Sequence, residues 1–202
     1  MKLFINRLLS LIYYSTIYWY HKSIFGGLGN RSRISSSGLR LEHPENIFIG
    51  DRVYVGENSW LAASPHTESL PELIIKRGCA IGRFNQIYST TSITLEEYVL
   101  TADRVFISES AHGFQDVNVP IMHQKITSKG PIIIGSGTWI GINACIIGAS
   151  VGKNCVIGAN SVVTKNIPDN CIVGGNPSTI IKRYNLQTEQ WVKVDQDGNF
   201  LT

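Results

Sequence analysis

The stretch IGSGTWIGINACIIGASVGKNCVIGANSVVTKNI, residues 134–167, repeats a pattern with a period of six residues. An aliphatic residue begins each repeat, and successive repeats are six residues apart except for one step of five. The repeats begin at Ile134, Ile140, Ile146, Val151, Ile157 and Val163. A helix brings apolar residues together every three or four positions and a half-buried strand every two, so neither element explains this period.

Small residues occupy a second fixed position, four residues after each of the first five aliphatic residues. They are Thr138, Ala144, Ser150, Cys155 and Ser161. A period of six is typical of a parallel β-helix, in which each hexad supplies one short strand and one corner, and three hexads make one coil. The aliphatic residues then point inward and the small residues fill the corners. The alternative, a β-sandwich, predicts turn signals every eight to twelve residues or so and alternating polarity.

Hexads also precede this stretch, and two segments interrupt them. Repeats begin near Ile49 and continue to Ala111, broken by Ser64–Glu72, which contains two prolines and is expected to leave the coil. The segment Gly113–Gly130 carries no repeat before the period restarts at Ile132. We expect it to be extruded as a long loop, and long loops on regular scaffolds frequently carry function.

The 202 residues are sufficient for one domain with a full core. We divide the chain into an aromatic helix and linker over residues 1–30, the β-helix over 31–180 with the loop 113–130, and a short tail over 181–202. In the tail, Asp197 and Gly198 form a turn signal that permits a small hairpin or an extended tail.

The amino-terminal stretch Leu8–Tyr20 is uncharged and rich in aromatic residues. It is too short to span a bilayer and no small-residue cleavage site follows it. We expect a helix packed on the β-helix or on a neighbouring subunit. Peripheral membrane contact through residues 1–20 is the alternative, so we expect a cytoplasmic protein with membrane association left open.

Charge and cysteine content exclude several classes of protein. With 18 basic and 15 acidic residues and no run of Lys or Arg, the chain is not expected to bind nucleic acid. The cysteines show no metal-binding spacing, so we interpret them as small core or corner residues in a reducing compartment. They are Cys79, Cys145, Cys155 and Cys171.

Four motifs carry a family resemblance: VFISESAHG (105–113), SKGPIIIGSGTWIG (128–141), VIGANSVVTKNIPDN (156–170) and GGNP (174–177). With them, residues 47–190 resemble the hexapeptide-repeat acyltransferases. The resemblance is strongest to sugar O-acetyltransferases of the galactoside and maltose type, and above all to those acting on O-antigen or capsule. It implies a left-handed parallel β-helix, acetyl-CoA as donor, a sugar or polysaccharide acceptor, and a homotrimer with active sites between subunits.

The resemblance also implies roles for particular residues. His112 matches the catalytic histidine, and Glu109 stands where the family has an acid. Glu109 or a backbone carbonyl is expected to orient the imidazole. Asn85 is the nearest replacement for a substrate-binding asparagine, whose own place aligns with Gly82. Coenzyme binding is implied for Gly141, Ala159, Thr164, Lys165, Lys182 and Arg183.

The expected chemistry is direct transfer of acetyl from a thioester to a sugar hydroxyl. Histidine titrates near neutral pH, so His112 can accept the hydroxyl proton and return it to the leaving thiolate. Backbone N–H groups around Gly141 are expected to stabilise the oxyanion.

Other chemistries are weighed against this one. A covalent route through Cys145 or Cys155 needs an activating neighbour, and both lie far from His112 in sequence. A zinc site like that of β-helical carbonic anhydrases needs three convergent histidines, so no metal is expected. An N-acyltransferase acting on a nucleotide-linked amino sugar and a non-catalytic trimeric scaffold are the alternative functions.

Overall fold

The computed structural model describes residues 15–195 and 198–201. Residues 15–24 are helical and form α1, while the first part of the aromatic stretch lies outside the described residues. The rest of the described chain consists almost entirely of short strands joined by corners. Two short 3-10 turns, Pro44–Asn46 and Ile121–His123, are the exceptions.

The strands follow one another as successive rungs. The first two coils contain β1 (Gly27–Leu28), β2 (Arg33–Ile34), β3 (Arg40–Glu42), β4 (Ile47–Ile49), β5 (Tyr54–Val55) and β6 (Trp60–Ala63). The next two contain β7 (Glu72–Ile75), β8 (Ala80–Ile81), β9 (Gln86–Ser89), β10 (Ser92–Leu95), β11 (Leu100–Thr101) and β12 (Phe106–Ser108). Strand β13 (Ser110–His112) lies directly before the loop, and β14 (Ile126–Ser128) lies within it. After it come β15 (Ile132–Ile134), β16 (Trp139–Ile140), β17 (Cys145–Ile147), β18 (Val156–Ile157), β19 (Val162–Val163), β20 (Cys171–Gly175), β21 (Ser178–Asn185) and β22 (Gln190–Lys193).

These strands form three sheets along the sides of a prism. Sheet A has the order β1-β4-β7-β10-β15, sheet B has β2-β5-β8-β11-β16-β18-β20-β21-β22, and sheet C has β19-β17-β12-β9-β6-β3. Within the coils every pairing is parallel. Consecutive strands belong to consecutive sheets up to β17, and in the last coils isolated parallel bridges at Val151 and Ile167 occupy the sheet A positions. This winding is that of a parallel β-helix, as the six-residue period predicts.

The core is a set of aliphatic columns inside the prism. In sheet C, Ile146 pairs in register with Ile107 below it and Val163 above it, and all three side chains are fully buried. The corner residue Thr138 is also fully buried, and its hydroxyl donates to the carbonyl of Gly152 at 2.8 Å. Aliphatic residues therefore supply the buried area, while small polar residues satisfy the backbone at the corners.

Left-handed backbone conformations recur at the corners. Asn143, Asn154 and Asn160 have φ between 53° and 58°, and Gly137 at φ 69° occupies a similar corner. Asparagine and glycine tolerate this region better than other residues, which explains their frequency in the hexads.

Helix α1 is attached to the first coil through its last turn and the residue that follows. His21 and Phe25 are buried, with ring centroids 5.8 Å apart, and Phe25 joins the hydrophobic core. Trp19 and Tyr20 remain exposed. Among the described residues, no helix has the length and apolar character needed to cross a membrane.

The carboxyl-terminal segment extends sheet B and does not form a separate tail. Strand β21 turns back antiparallel to β20, and β22 pairs antiparallel with β21. The expected boundary at residue 180 therefore lies within a strand. Gly198, at φ 85°, lies in a further turn that brings Val194 opposite Phe200, whereas Asp197 lies outside the described residues.

The stacked columns predict that two neighbouring isoleucines contribute differently to the free energy of unfolding. Ile134 is fully buried, whereas Ile133, next to it in β15, is 49% exposed. Replacing Ile134 with Ala should lower the free energy of unfolding by about 2–5 kcal/mol, since it removes buried methyl groups and leaves a cavity. Ile133→Ala is the matched control and should cost clearly less. Denaturant titration of both variants measures the difference, and equal losses would contradict the described register.

Candidate active site

His112 ends strand β13 at the point where the long loop leaves the prism. Strand β13 pairs antiparallel with β14, so that His112 lies opposite Ile126. The imidazole side chain is exposed and is not enclosed in a coil. The loop therefore departs as a two-stranded hairpin with His112 at its base, which agrees with the expected extrusion of this segment.

The base of the hairpin is tied to the coil below it. The main-chain N–H of Lys129 donates to the carbonyl of Glu109 at 3.0 Å, and the hydroxyls of Ser128 and Thr91 are 3.2 Å apart. Farther out, the side chain of Gln124 donates to the carbonyls of Asp116 and Val119, both at 2.8 Å. The contacts of Lys129 and Ser128 hold the base of the hairpin, and those of Gln124 brace the outer part of the loop.

A groove of about 450 Å³ lies beside His112 on the outer face of sheet C. Outward-facing side chains of β3, β6, β9 and β12 form its floor, and the hairpin forms one wall. The lining residues are Arg40, Glu42, Trp60, Tyr88, Phe106, Ser108, Ser110, Ala111, His112 and Ile126. Apart from His112, none of these was identified from the sequence. Each floor residue immediately precedes or follows an inward aliphatic residue, so the hexad register contained a signal for them.

Glu109 is buried beneath the hairpin and does not hydrogen bond to His112 within the described protomer. Its Oε1 accepts from the main-chain N–H groups of Thr90 at 2.5 Å and Thr91 at 2.6 Å, and from both threonine hydroxyls at 3.2 and 3.1 Å. Its Oε2 is buried without a hydrogen-bond partner in the described structure. The carboxylate thus clamps the corner below the loop, a different contact from the one expected.

Asn85, which was expected to bind substrate, faces the interior of the coil in this protomer. Its side chain is fully buried, and Nδ2 donates to the carbonyls of Ala102 at 2.8 Å and Arg83 at 3.2 Å. Asn85 occupies the small-residue corner position of its hexad. A ligand at the surface cannot reach it.

The N–H of Gly141 is also committed to the scaffold. It donates to the carbonyl of Ile157 in the next coil at 2.8 Å. A Cβ at Gly141 would lie 2.7 Å from the main-chain nitrogen of Ala159, so glycine is required for the close approach of these coils. The oxyanion role predicted around Gly141 therefore cannot use this particular amide.

Four of the predicted coenzyme residues lie at the two edges of sheet C. Gly141 and Ala159 lie at the edge where the chain passes from sheet B to sheet C, which we call the B–C edge. Thr164 and Lys165 are exposed at the edge where it passes from sheet C to sheet A, the C–A edge, from which the His112 hairpin also emerges. One protomer therefore does not bring the two groups together.

Lys182 and Arg183 lie on β21, in sheet B. They pair across the strands with Ile172 and Cys171, respectively. Arg183 is half-buried, and its guanidinium donates to the carbonyl of Gly198 at 3.5 Å. Ile172 and Cys171 begin β20, so both basic residues lie toward the edge where the chain passes from sheet A to sheet B, and not at the B–C edge.

The cysteines have the properties of core residues. Cys79, Cys155 and Cys171 are buried, and the four cysteines form no disulfide. Burial raises the pKa of Cys79 and of Cys155 to about 11. Both thiols are therefore protonated at neutral pH, which argues against the covalent route through Cys155. Within residues 15–195 and 198–201, no cluster of His, Cys, Asp and Glu side chains is arranged to hold a metal ion.

Comparisons with known proteins agree with this architecture. Residues 131–165 match the family described as the hexapeptide repeat of succinyl-transferase. A galactoside O-acetyltransferase from Escherichia coli (strain K12) is 32% identical over 147 residues, which are 70% of this chain and 68% of that protein.

Two further relatives are longer than the matched region. A second Escherichia coli (strain K12) protein, provisionally named a lipopolysaccharide biosynthesis O-acetyl transferase, is 34% identical over 122 residues, 56% of this chain and 62% of that one. A Mycobacterium tuberculosis protein named as an acetyltransferase is 32% identical over 142 residues, 70% of this chain and 45% of that one. The matches thus span about half to three fifths of these two relatives.

Solved structures show the same fold at lower identity. An N-acyltransferase from Bacillus cereus, solved with dTDP and 3-hydroxybutyryl-CoA, has a TM-score of 0.70 and 20% identity over 83% of this chain and 87% of that one. A hexapeptide-repeat acetyltransferase from Vibrio cholerae, solved with acetyl coenzyme A, has a TM-score of 0.57 and 23% identity over 85% and 78%.

The identity to the galactoside enzyme over two thirds of its length, together with the coil architecture, makes this chain a member of the hexapeptide-repeat acyltransferase family. Its sequence relatives include proteins named for O-acetyl transfer, and its structural neighbours include an N-acyltransferase.

The buried clamp predicts a stability effect for Glu109. Glu109→Ala should lower the free energy of unfolding by about 1–3 kcal/mol, because it leaves the N–H groups of Thr90 and Thr91 without their acceptor. The control is Glu97→Ala, which removes an exposed ion pair with Arg77 (3.5 Å) and should cost less than about 1 kcal/mol. Denaturant titration of both variants tests the clamp, and a Glu109→Ala protein as stable as wild type would show that the contact is unimportant.

Proposed function

We propose that this protein is an acetyl-CoA-dependent O-acetyltransferase. Its acceptor is a sugar hydroxyl of a bacterial surface polysaccharide, such as O-antigen or capsule, or of its precursor. The observation that carries the proposal is the exposed imidazole of His112 at the wall of a groove lined by aromatic and polar side chains. The names of the O-acetyl transferase relatives support the same reaction class.

His112 acts as the general base in this mechanism. A sugar hydroxyl has a pKa far above neutrality, so the imidazole accepts its proton as the oxygen attacks the thioester carbonyl. The new C–O bond gives a tetrahedral intermediate. The C–S bond then breaks, and the imidazolium returns the proton to the coenzyme sulfur. Acetyl transfer is direct, and no covalent enzyme intermediate forms.

Glu109 is proposed to support His112 by positioning. Its carboxylate holds the corner at Thr90 and Thr91, and its main-chain carbonyl accepts from Lys129 at the other end of the hairpin. Fixing both strands where they leave the coil limits the movement of the imidazole. Since its Oε1 is saturated, Oε2 is the atom with capacity for a further hydrogen bond.

We place acetyl-CoA between two protomers of a homotrimer. Gly141 and Ala159 lie at one edge of sheet C, while His112, Thr164 and Lys165 lie at the other. If one protomer's B–C edge packs beside the C–A edge of its neighbour, the two groups form a single cleft. We take the coil to be left-handed, as in the family that the sequence resembles.

Basic side chains among the residues implied by the resemblance match the chemistry of the coenzyme. Lys165 is exposed, and Lys182 and Arg183 lie on the strand that extends sheet B. We assign them to the phosphate groups, for which Lys and Arg are the usual partners. With the N–H of Gly141 bonded to Ile157, we assign the oxyanion contact to the following amide, that of Ile142.

The outer part of the loop supports an assembly of several copies. Val117 and Met122 are 92% and 78% exposed, although both side chains are apolar. Exposed apolar groups on a braced loop are favourable docking surfaces. We propose that this part contacts a neighbouring protomer.

The proposed location is the cytoplasm, where acetyl-CoA is available. Trp19 and Tyr20 are exposed on α1, with the ammonium group of Lys22 5.2 Å from the centre of the Trp19 ring. Aromatic and basic side chains on one helix suit the surface of a membrane. A lipid-linked acceptor gives this contact a use.

Removing the base should abolish most activity without unfolding the protein. We expect His112→Ala to lower kcat by about 10² to 10⁴, with the dissociation constant for acetyl-CoA unchanged. His123→Ala, an exposed histidine of the same loop, is the matched control and should retain activity. Release of free CoA, followed with a thiol reagent, measures the rate. Activity of His112→Ala within a few-fold of wild type would refute the mechanism.

The product separates O-acetylation from N-acylation. Labelled acetyl-CoA is incubated with surface oligosaccharides and with nucleotide-linked amino sugars, and the product is treated with mild base. We expect the label to be released, because an ester is cleaved under these conditions and an amide persists. A stable product from an amino sugar would favour the N-acyltransferase alternative, for which the Bacillus cereus structure is the supporting likeness.

A further inference from the structure

The groove beside His112 contains an ion pair that is held from several sides. Arg40 Nη2 donates to Glu42 Oε1 at 2.6 Å, and the guanidinium lies 4.2 Å from the centre of the Trp60 ring. The hydroxyl of Ser64 donates to the other oxygen of Glu42 at 3.1 Å. Exposed ion pairs usually contribute little to the stability of a fold. The ordering of these two side chains is therefore better explained by ligand binding than by stabilisation.

Aromatic rings fix the pair from below. Trp60 and Tyr88 are in edge-to-face contact at 5.4 Å, and His66 stacks on Tyr88 at 6.1 Å. Neither Trp60 nor Tyr88 is fully exposed, and burial raises the pKa of the Tyr88 phenol. The rings therefore form a stiff wall along the strands that lead toward His112.

The arrangement suits sugar hydroxyls. A hydroxyl both donates and accepts a hydrogen bond. Arg40 presents several N–H donors in a fixed plane, and Glu42 presents carboxylate acceptors beside them. Adjacent hydroxyls of one sugar ring can bond to the two groups at once, and little entropy is lost because the side chains are already ordered.

Charge favours an uncharged ligand at this point. Among the described residues that line the groove, Arg40 is the one Arg or Lys, and Glu42 neutralises it. A nucleotide diphosphate requires unpaired cations for its phosphates. The groove therefore fits a glycan chain better than a nucleotide-linked sugar.

The position of the pair indicates an acceptor longer than one ring. Arg40, Trp60, Gln86 and Phe106 are in register on four neighbouring strands of sheet C. At about 4.8 Å per strand, Arg40 lies roughly 14 Å from the strand that leads to His112. A single ring at His112 does not reach the ion pair, whereas a neighbouring sugar unit does.

We propose that Arg40 and Glu42, supported by Trp60, bind the hydroxyls of an uncharged sugar unit next to the one that is acetylated. The two residues then determine specificity for oligosaccharide acceptors. This inference rests on the proposed function, because it takes His112 as the place where acetyl is transferred.

The test compares two arginines in similar ion pairs. Arg40 and Glu42 have side chains 63% and 29% exposed, and Arg77 and Glu97, at the edge where the chain passes from sheet A to sheet B, have side chains 49% and 45% exposed at 3.5 Å. Arg77 also lies over an aromatic ring, that of Tyr98, at 5.5 Å. Wild type, Arg40→Met, Glu42→Gln and Arg77→Met are assayed with acetyl-CoA. The acceptors are uncharged O-antigen and capsule repeat oligosaccharides, the corresponding monosaccharides and nucleotide-linked sugars.

We expect Arg40→Met and Glu42→Gln to raise KM for the oligosaccharides about 10-fold or more, with KM for monosaccharides and affinity for acetyl-CoA within twofold of wild type. Arg77→Met should match wild type throughout. Oligosaccharide KM values unchanged in both groove variants, or a wild type that prefers nucleotide-linked sugars, would overturn the inference while leaving acetyl transfer intact.

A wild type that binds oligosaccharides but transfers no acetyl would refute the proposed function, and loss of that binding in Arg40→Met would still support the subsite.

Discussion

The structure depends on the stacking of equivalent residues at successive levels of the prism. Ile107, Ile146 and Val163 form one such column, and each removes its neighbours from water. Because every inward position is taken by this packing, chemistry is restricted to outward side chains and to insertions at corners. The hairpin that carries His112 leaves at such a corner, and the Glu109 carboxylate secures the turn beneath it.

The same constraint explains why one copy does not hold the complete proposed site. A strand has two ends, and in sheet C these ends lie at different edges of the prism. His112 is at the C–A edge, and Ala159 is at the B–C edge. A flat side of short parallel strands separates them, so a cleft that needs both edges must be completed by another protomer.

Most of the architecture could be predicted from the sequence because the hexad period reports directly on inward packing. The departure of the loop and the exposure of His112 also followed from that period. The burial of Asn85 could not be predicted, because alignment within a hexad does not distinguish a corner residue facing inward from one facing a ligand. The contact of Glu109 with Thr90 and that of Glu42 with Ser64 could not be predicted either. In each contact the two residues are about 20 positions apart in the sequence and are brought together only by coil stacking.

Mixed trimers provide the most direct test of a site shared between protomers. His112→Ala removes the base at one edge, and Ala159→Trp blocks the other edge, so each variant alone should be inactive. Co-expressed in equal amounts, they should recover about a quarter of wild-type activity, since random assembly joins an intact edge of each kind at one site in four. Purified mixed trimers that stay inactive would contradict the account, because that result is the one expected when each protomer holds its own complete site.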